Sequence, residues 1–232
     1  MVRLVAWNCC GGPLERKLAA LETLAPDIAV IPECPRLPPS RGRIFWIGSN
    51  PRKGLGVVAR PPWRIYRATS RRDLPSYIYP LRVSGPESFL LWAVWACNIG
   101  ADRYVRGMHR AVDSSRRLFR SAPSVMLGDF NSNSIWDHEH PPDRSHSALV
   151  QKLAALGLAS SYHALHGEPH GAESRPTFFE YRHAHRPYHI DYCFLPASWS
   201  SRIAGVALGS HAEWAQQSDH MPIIVDLAPA AV

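Results

Sequence analysis

The sequence predicts an α/β protein, packed β-sheets with helices on their outside, on three observations. Short apolar or alternating runs recur along the 232 residues with turn residues between them, which is the signature of strands. Only three longer stretches carry apolar residues at helical spacing. No run comes near the roughly 18 apolar residues that a membrane-spanning helix needs.

The first strand is RLVAWN (3 to 8). LERKLAALETLA (14 to 25) follows, with Leu14, Leu18, Leu21 and Leu24 three and four residues apart, which places them on one face of a helix. DIAVIP (27 to 32), RIFWIG (43 to 48), GVVAR (56 to 60), YIYPLRV (77 to 83) and FLLWAVWAC (89 to 97) continue the strands. A second helix is predicted over about 104 to 120, ahead of the strand SVMLGDF (124 to 130). The third, SALVQKLAALG (147 to 157), has Ser147 as a candidate N-cap and Gly157 as a stop. HIDYCFL (189 to 195), RIAGVAL (202 to 208) and PIIVDL (222 to 227) complete the strands. No fixed-period repeat and no low-complexity linker divides the chain, so one domain over 1 to 232 is expected. The polar segments 132 to 146 and 164 to 176, rich in His, Pro and Gly, are expected to be long loops with a functional role.

With 46% hydrophobic residues, 19% charged residues and eight Trp, the chain can build a sizeable core, which excludes a disordered tail or a coiled coil. The start, MVRLVAWNCC, lacks the charged region, long apolar stretch and cleavage site of a secretion signal. Cys9, Cys10, Cys34, Cys97 and Cys193 are odd in number, lie in apolar runs and form no C-x-x-C pair. Reduced thiols packed as small hydrophobes in a cytoplasmic protein are therefore expected. Neither membrane association nor an obligate protein partner is indicated.

The formal net charge is +7, and all but Lys17, Lys53 and Lys152 of the 26 basic residues are arginines. An Arg-rich codon bias would produce the same composition, so position is more informative. Between 41 and 82 lie Arg41, Arg43, Arg52, Lys53, Arg60, Arg64, Arg67, Arg71, Arg72 and Arg82 against the single acid Asp73. Such asymmetry suits a polyanionic partner; strand edges defended by solvated charge are the alternative. Six of the 12 histidines, His138, His140, His146, His163, His166 and His170, fall between 138 and 170. None forms an H-x-x-x-H pair within a helical stretch, so surface histidines on loops are expected there, not a zinc site.

Strand ends carry the chemistry. Asn8 ends the first run, Glu33 the second, Asp129 and Asn131 end SVMLGDFN, Asp191 interrupts HIDYCFL, and Ser218, Asp219 and His220 precede PIIVDL. One carboxylate at a strand end is an ordinary turn former. Several such ends make a site if the sheets converge there, and carboxamide and carboxylate oxygens are what Mg2+ or Mn2+ takes.

LVAWN, PDIAVIPEC, LGDFNS, PTFF followed by HIDYCFL, and SDHMPI resemble the successive motifs of the endonuclease/exonuclease/phosphatase superfamily, in that family's order and over residues 4 to 225. The resemblance implies a four-layer α/β/β/α sandwich of two mixed sheets with flanking helices, and Mg2+-dependent (or Mn2+-dependent) phosphoester hydrolysis. It implies a metal site at Asn8 and Glu33 with Asp219 nearby. It implies that Asp129 orients and deprotonates the attacking water, that Asn131 bonds the water or phosphate, and that His220, partnered by Asp191, faces the phosphate. Two positions depart from the family pattern: Cys10 stands where many relatives have Asp, and Trp95 or its neighbours where they have Tyr or His. Trp95 either stacks on a base or packs in the core, the more frequent fate of such a Trp. Trp136, just after GDFN, is the better stacking candidate. The leading expectation is a DNA endonuclease; hydrolysis of RNA or of a small phosphomonoester by the same chemistry is the alternative, and a nucleic-acid-binding module that has lost catalysis is a third reading.

Overall fold

The computed structural model describes residues 1–69, 73–100 and 102–230. The chain runs through β1 (Val2–Ala6), α1 (Leu14–Glu22), β2 (Ile28–Cys34), β3 (Ile44–Asn50), β4 (Lys53–Ala59), β5 (Arg64–Arg67), β6 (Ile78–Ser84) and β7 (Phe89–Trp95). It continues with α2 (Val105–Ser114), α3 (Arg116–Phe119), β8 (Ser124–Asp129), α4 (His146–Ala155), β9 (Leu158–Ser160) and α5 (Ser161–His166). A short ribbon, β10 (Phe178–Phe179) and β11 (Pro187–Tyr188), precedes β12 (Asp191–Pro196), β13 (Ile203–Leu208), α6 (His211–Trp214) and β14 (Ile223–Leu227).

Two six-stranded sheets result, ordered β13-β14-β1-β2-β4-β3 and β5-β6-β7-β8-β12-β9. Both are mixed, with parallel pairs at β1–β2 and β7–β8. The alternation of side chains along each strand turns one face of each sheet to the other. Leu4, Val30, Leu55 and Val57 meet Leu81, Leu91, Ala93 and Leu127 there, all buried. The opposite face of the second sheet, with Ile78, Trp92 and Met126, is covered by Met108 and Val112 of α2, Phe119 of α3 and Leu149 and Leu153 of α4. Leu21 of α1 and Trp214 of α6 cover Val5, Trp7 and Ile31 on the first sheet. The layers are thus α/β/β/α, the sandwich implied by the motifs.

All ten expected strands form, and β5, β9 and the β10–β11 ribbon are additional. The helix expected over 104 to 120 is broken at Ser115, whose φ of −122° separates α2 from α3. Ser147 is not the cap of α4: Ser145 is, its hydroxyl accepting from the Ala148 N–H. The segment 132 to 146 is not structureless, because 3-10 turns span Ser134–Glu139 and Pro142–Arg144.

The basic segment does not form one face. It contributes β3 and β4 to one sheet and β5 and β6 to the other. Arg43 donates to the Trp63 carbonyl, Arg60 pairs with Glu22, and Arg67 lies over the Phe45 and Tyr79 rings. Those cations are taken up by partners of the chain itself, while Arg52 and Lys53 stand at the turn of the β3–β4 hairpin. Arg71 and Arg72 lie outside the described residues.

One glycine is dictated by strand packing. Gly128, next to Asp129, has φ of 140°, and a Cβ on it would sit 2.0 Å from the Val94 carbonyl oxygen of the neighbouring strand. Neither atom belongs to a side chain that could swing away. Gly128→Ala is expected to cost at least about 3 kcal/mol, read as a fall in the denaturant midpoint; an unchanged midpoint would mean that β7 and β8 can part there.

Candidate active site

The polar strand ends meet at one rim of the sandwich, where both sheets terminate. Asn8 follows β1, Asp129 ends β8, and Asp191 begins β12 directly opposite Asp129 in antiparallel register. His220 lies in the turn before β14 and makes an isolated bridge to Phe178. Asn8, Asp129, Asp191 and His220 are each at most 5% exposed.

Hydrogen bonds join them across the gap between the sheets. Asn8 Nδ2 donates to Asp129 Oδ2 at 2.9 Å. Asn131, held at φ of 45°, donates its backbone N–H to Oδ1 and its amide to Oδ2, both at 2.8 Å. His220 Nδ1 lies 2.9 Å from Asp191 Oδ2, which leaves Nε2 as the working nitrogen of the ring. Ligating atoms of Asp129, Asp191 and His220 all fall within 4.8 Å of one another.

Such crowding sets the proton chemistry. Burial pushes the Asp129 carboxyl up to about 7, and Asp191 adds to the push against the pull of His220. Burial alone would favour neutral His220, but the carboxylates of Asp191 and Asp129 overcome it and raise the imidazole to about 10. Near neutral pH the rim therefore holds a carboxyl group poised to take a proton beside an imidazolium able to donate one.

Glu33 reaches the rim through a β-bulge. The β2–β4 register shifts between Ile31 and Cys34, and Glu33 takes φ of 57°, left-handed for a residue inside a strand. The extra residue re-aims the side chain, whose carboxylate meets Lys53, and the backbone bonds from Cys9 to Pro32 and from Gly11 to Glu33 hold the distortion. Glu33 and Asp219 both act on the Cys10 thiol, which burial and then these carboxylates hold above its ordinary range. The Lys53 ammonium lies 2.9 Å from Glu33 Oε2 and 5.5 Å from the Trp95 ring centre. A cation thus already rests against this oxygen set, and its hard, anionic donors fit a divalent ion such as Mg2+. Asn8 Oδ1 accepts from the Cys10 N–H at 3.0 Å, so Asn8 links the Glu33 side of the site to Asp129. Lys53→Gln is expected to raise the affinity for Mn2+, used as a spectroscopic probe, by about tenfold, since one like charge at contact distance is removed. Equal affinities in the two proteins would show that the ammonium does not compete for Glu33.

Sequence reasoning gave no role to the residues that fix this geometry. Ser218 donates to the Asn8 carbonyl at 2.7 Å and accepts from the His220 N–H, and Trp7 Nε1 donates to the His220 carbonyl. The Thr177 hydroxyl accepts from the Ile190 and Asp191 N–H groups, and its carbonyl accepts from Met221. Thr177 stands in PTFF and Ser218 in SDH, so the signal was present but tied to no partner. Lys53 and Arg182, whose charge draws the Cys10 thiol down against the carboxylates, lie outside every motif.

The aromatic candidates differ. Trp95 is buried, 4.6 Å from Tyr77 and beside Asp129 in the parallel β7–β8 register. Trp136 is half-buried on the rim. It ends a row in which Phe178 lies 4.6 Å from His220, Tyr188 6.2 Å from Phe178 and Trp136 5.1 Å from Tyr188.

The histidines between 138 and 170 are not uniformly superficial, contrary to expectation. His146 is fully buried, and His163 and His170 are drawn inward around Glu173, whose side chain is 3% exposed.

The family model described as Endonuclease/Exonuclease/phosphatase family matches residues 5–220. No curated protein matches the chain in sequence. Among solved structures, the 3'-5' exonuclease NExo of Neisseria meningitidis superposes with a TM-score of 0.71 at 18% identity, over 97% of this chain and 99% of that one. The 3' phosphatase NExo from Neisseria bound to product DNA hairpin gives 0.70 at 17%, over 98% and 100%. An AP endonuclease from Archaeoglobus fulgidus gives 0.66 at 16%, over 98% and 99%.

Proposed function

Because the chain belongs to the endonuclease/exonuclease/phosphatase family, whose members hydrolyse phosphoester bonds, we propose that residues 1 to 232 act as one Mg2+-dependent catalytic domain that cleaves phosphodiesters of DNA, as an endonuclease. The observation that carries the proposal is the close-set group Asn8–Asp129–Asn131–Asp191–His220, with the Glu33 and Asp219 carboxylates acting together on the neighbouring Cys10 thiol.

A divalent ion held by Glu33 and Asp219, with Asn8 alongside, would supply positive charge against the phosphate. The rest falls to the chain's own groups. Asp129, fixed by two asparagines, takes the proton of the attacking water. The His220 imidazolium, kept charged by Asp191, donates to the anionic phosphate oxygens as charge grows there. The row Phe178, Tyr188 and Trp136 leads from His220 to the surface and offers faces on which bases can stack. Arg52, at the hairpin turn, supplies backbone contact next to Glu33.

A second reading has its own support. Lys53 and Arg182 bring two cations to the site, which would suit a dianionic terminal phosphate, and one structural neighbour is a 3' phosphatase bound to DNA. A single substrate panel in Mg2+ separates the readings: supercoiled plasmid, a DNA hairpin ending in a 3'-phosphate, RNA, and an inositol phosphate. Nicking of the plasmid to 3'-hydroxyl and 5'-phosphate ends, abolished by EDTA, is the expected result. Inorganic phosphate released from the hairpin with the plasmid intact would establish the end-processing reading. Turnover of RNA or inositol phosphate alone would move the substrate away from DNA.

A further inference from the structure

We propose that His146, His163, His170 and Glu173 form a second metal site, for a divalent transition ion of the zinc class, distinct from the oxygen-lined site at Glu33. The four side chains come from separate segments: the first residue of α4, the middle of α5, and the loop after it. Ligating atoms of His163, His170 and Glu173 all lie within 4.8 Å of one another, and His146 adjoins them through His170. His163 Nε2 lies 3.1 Å from Glu173 Oε1, His146 Nε2 lies 3.4 Å from His170 Nδ1, and His170 Nδ1 lies 4.0 Å from Glu173 Oε1. Zinc bonds to nitrogen and oxygen of about 2.0 to 2.2 Å give tetrahedron edges of roughly 3.3 to 3.6 Å, within the range of these separations.

The surroundings are those of ligands. The far nitrogen of each of two rings is held by a hydroxyl, His146 Nδ1 by Ser132 at 3.1 Å and His163 Nδ1 by Ser160 at 2.7 Å, an arrangement that orients metal-binding imidazoles. Burial lowers His146 to about 4 and His170 to about 3, so both offer lone pairs at neutral pH. Burial works against the Glu173 carboxylate, but bonds from His163 and Asn133 outweigh it and hold the group at about 2. Among the described residues its ion-pair partners are His163 and His170, with no Lys or Arg. A buried carboxylate among imidazoles lacks a full countercharge. His189, 4% exposed, adds an Nε2 without a hydrogen-bond partner, its ring 6.0 Å from that of His163. The His163 and His170 rings are stacked at 3.5 Å, so binding requires one of them to turn out of the stack. Asn133 donates both to Glu173 and to the His189 carbonyl. An ion here would therefore brace the loop that carries Asn131.

The test uses the whole protein stripped of metal and titrated with Co2+, then with Zn2+. One equivalent of Co2+ with the visible bands of a tetrahedral ion is expected, together with a rise in Tm of about 5 °C on adding Zn2+. Both should persist in Glu33→Gln, which disables the other site, and Co2+ affinity should fall about a hundredfold or more in His170→Ala and Glu173→Gln. Absence of tetrahedral Co2+ and of any Tm shift in the unsubstituted protein would overturn the proposal, whatever the variants do. So would bands lost in Glu33→Gln yet kept in His170→Ala. The proposal does not rest on the nuclease reading, whose substrate panel is run in Mg2+.

Discussion

Asp129→Asn is expected to lower kcat/KM by about a thousandfold or more, within the range of a lost general base. The pH profile makes the assignment specific. A protonated carboxyl cannot accept the proton of the attacking water, and burial raises Asp129 to about 7. Activity should therefore rise tenfold per pH unit on the acid side and level off as the carboxylate forms. A divalent ion beside Asn8 favours the carboxylate, so saturating Mg2+ should move that midpoint below 7. In Asp129→Asn the limb should vanish and leave a small, flat rate. An acid limb retained in the Asn variant, with native circular dichroism, would assign the titration to another group.

For His220→Ala and Asp191→Asn, the expected single losses are each about a thousandfold, and the double variant should be no worse than the more damaged single one. The reason is that Asp191 acts through His220, to which it is bonded at 2.9 Å. Desolvation would lower the imidazole, and it is the Asp191 carboxylate first and Asp129 second that carry it to about 10. The His220 imidazolium should thus persist through neutral pH and be lost only as pH climbs through about 10. Without the Asp191 charge the alkaline limb should slide toward neutrality. Losses that multiply in the double variant would show two independent roles.

Much of this was legible because strands advertise their ends. An apolar run that stops at Asn8, Asp129 or Asp191 places a polar side chain at a sheet margin, and the motif order tied those margins to one family. What could not be read were relations between distant strands. Lys53 looked like one cation of a basic segment, yet β4 pairs with β2 and delivers it to Glu33. Arg43, Arg60 and Arg67 belonged to the same segment and are turned inward or onto other partners. His146, His163 and His170 lacked any helix spacing because three segments bring them together. The break between α2 and α3 is a local backbone choice at Ser115 that helical periodicity does not encode.

The position of β14 has a consequence in time. It is hydrogen-bonded between β1 and β13, with Val2 opposite Leu227, so the first strand made waits for one of the last to complete its sheet. Asn8 enters the translating ribosome's exit path more than two hundred residues before His220. A growing chain can already display Glu33, Asp129 and Asp191, but without that closing strand it has no His220 turn and no rim to gather them. Long-range closure of this kind is slow to form. Assembly of the rim is thereby deferred until synthesis has passed residue 227.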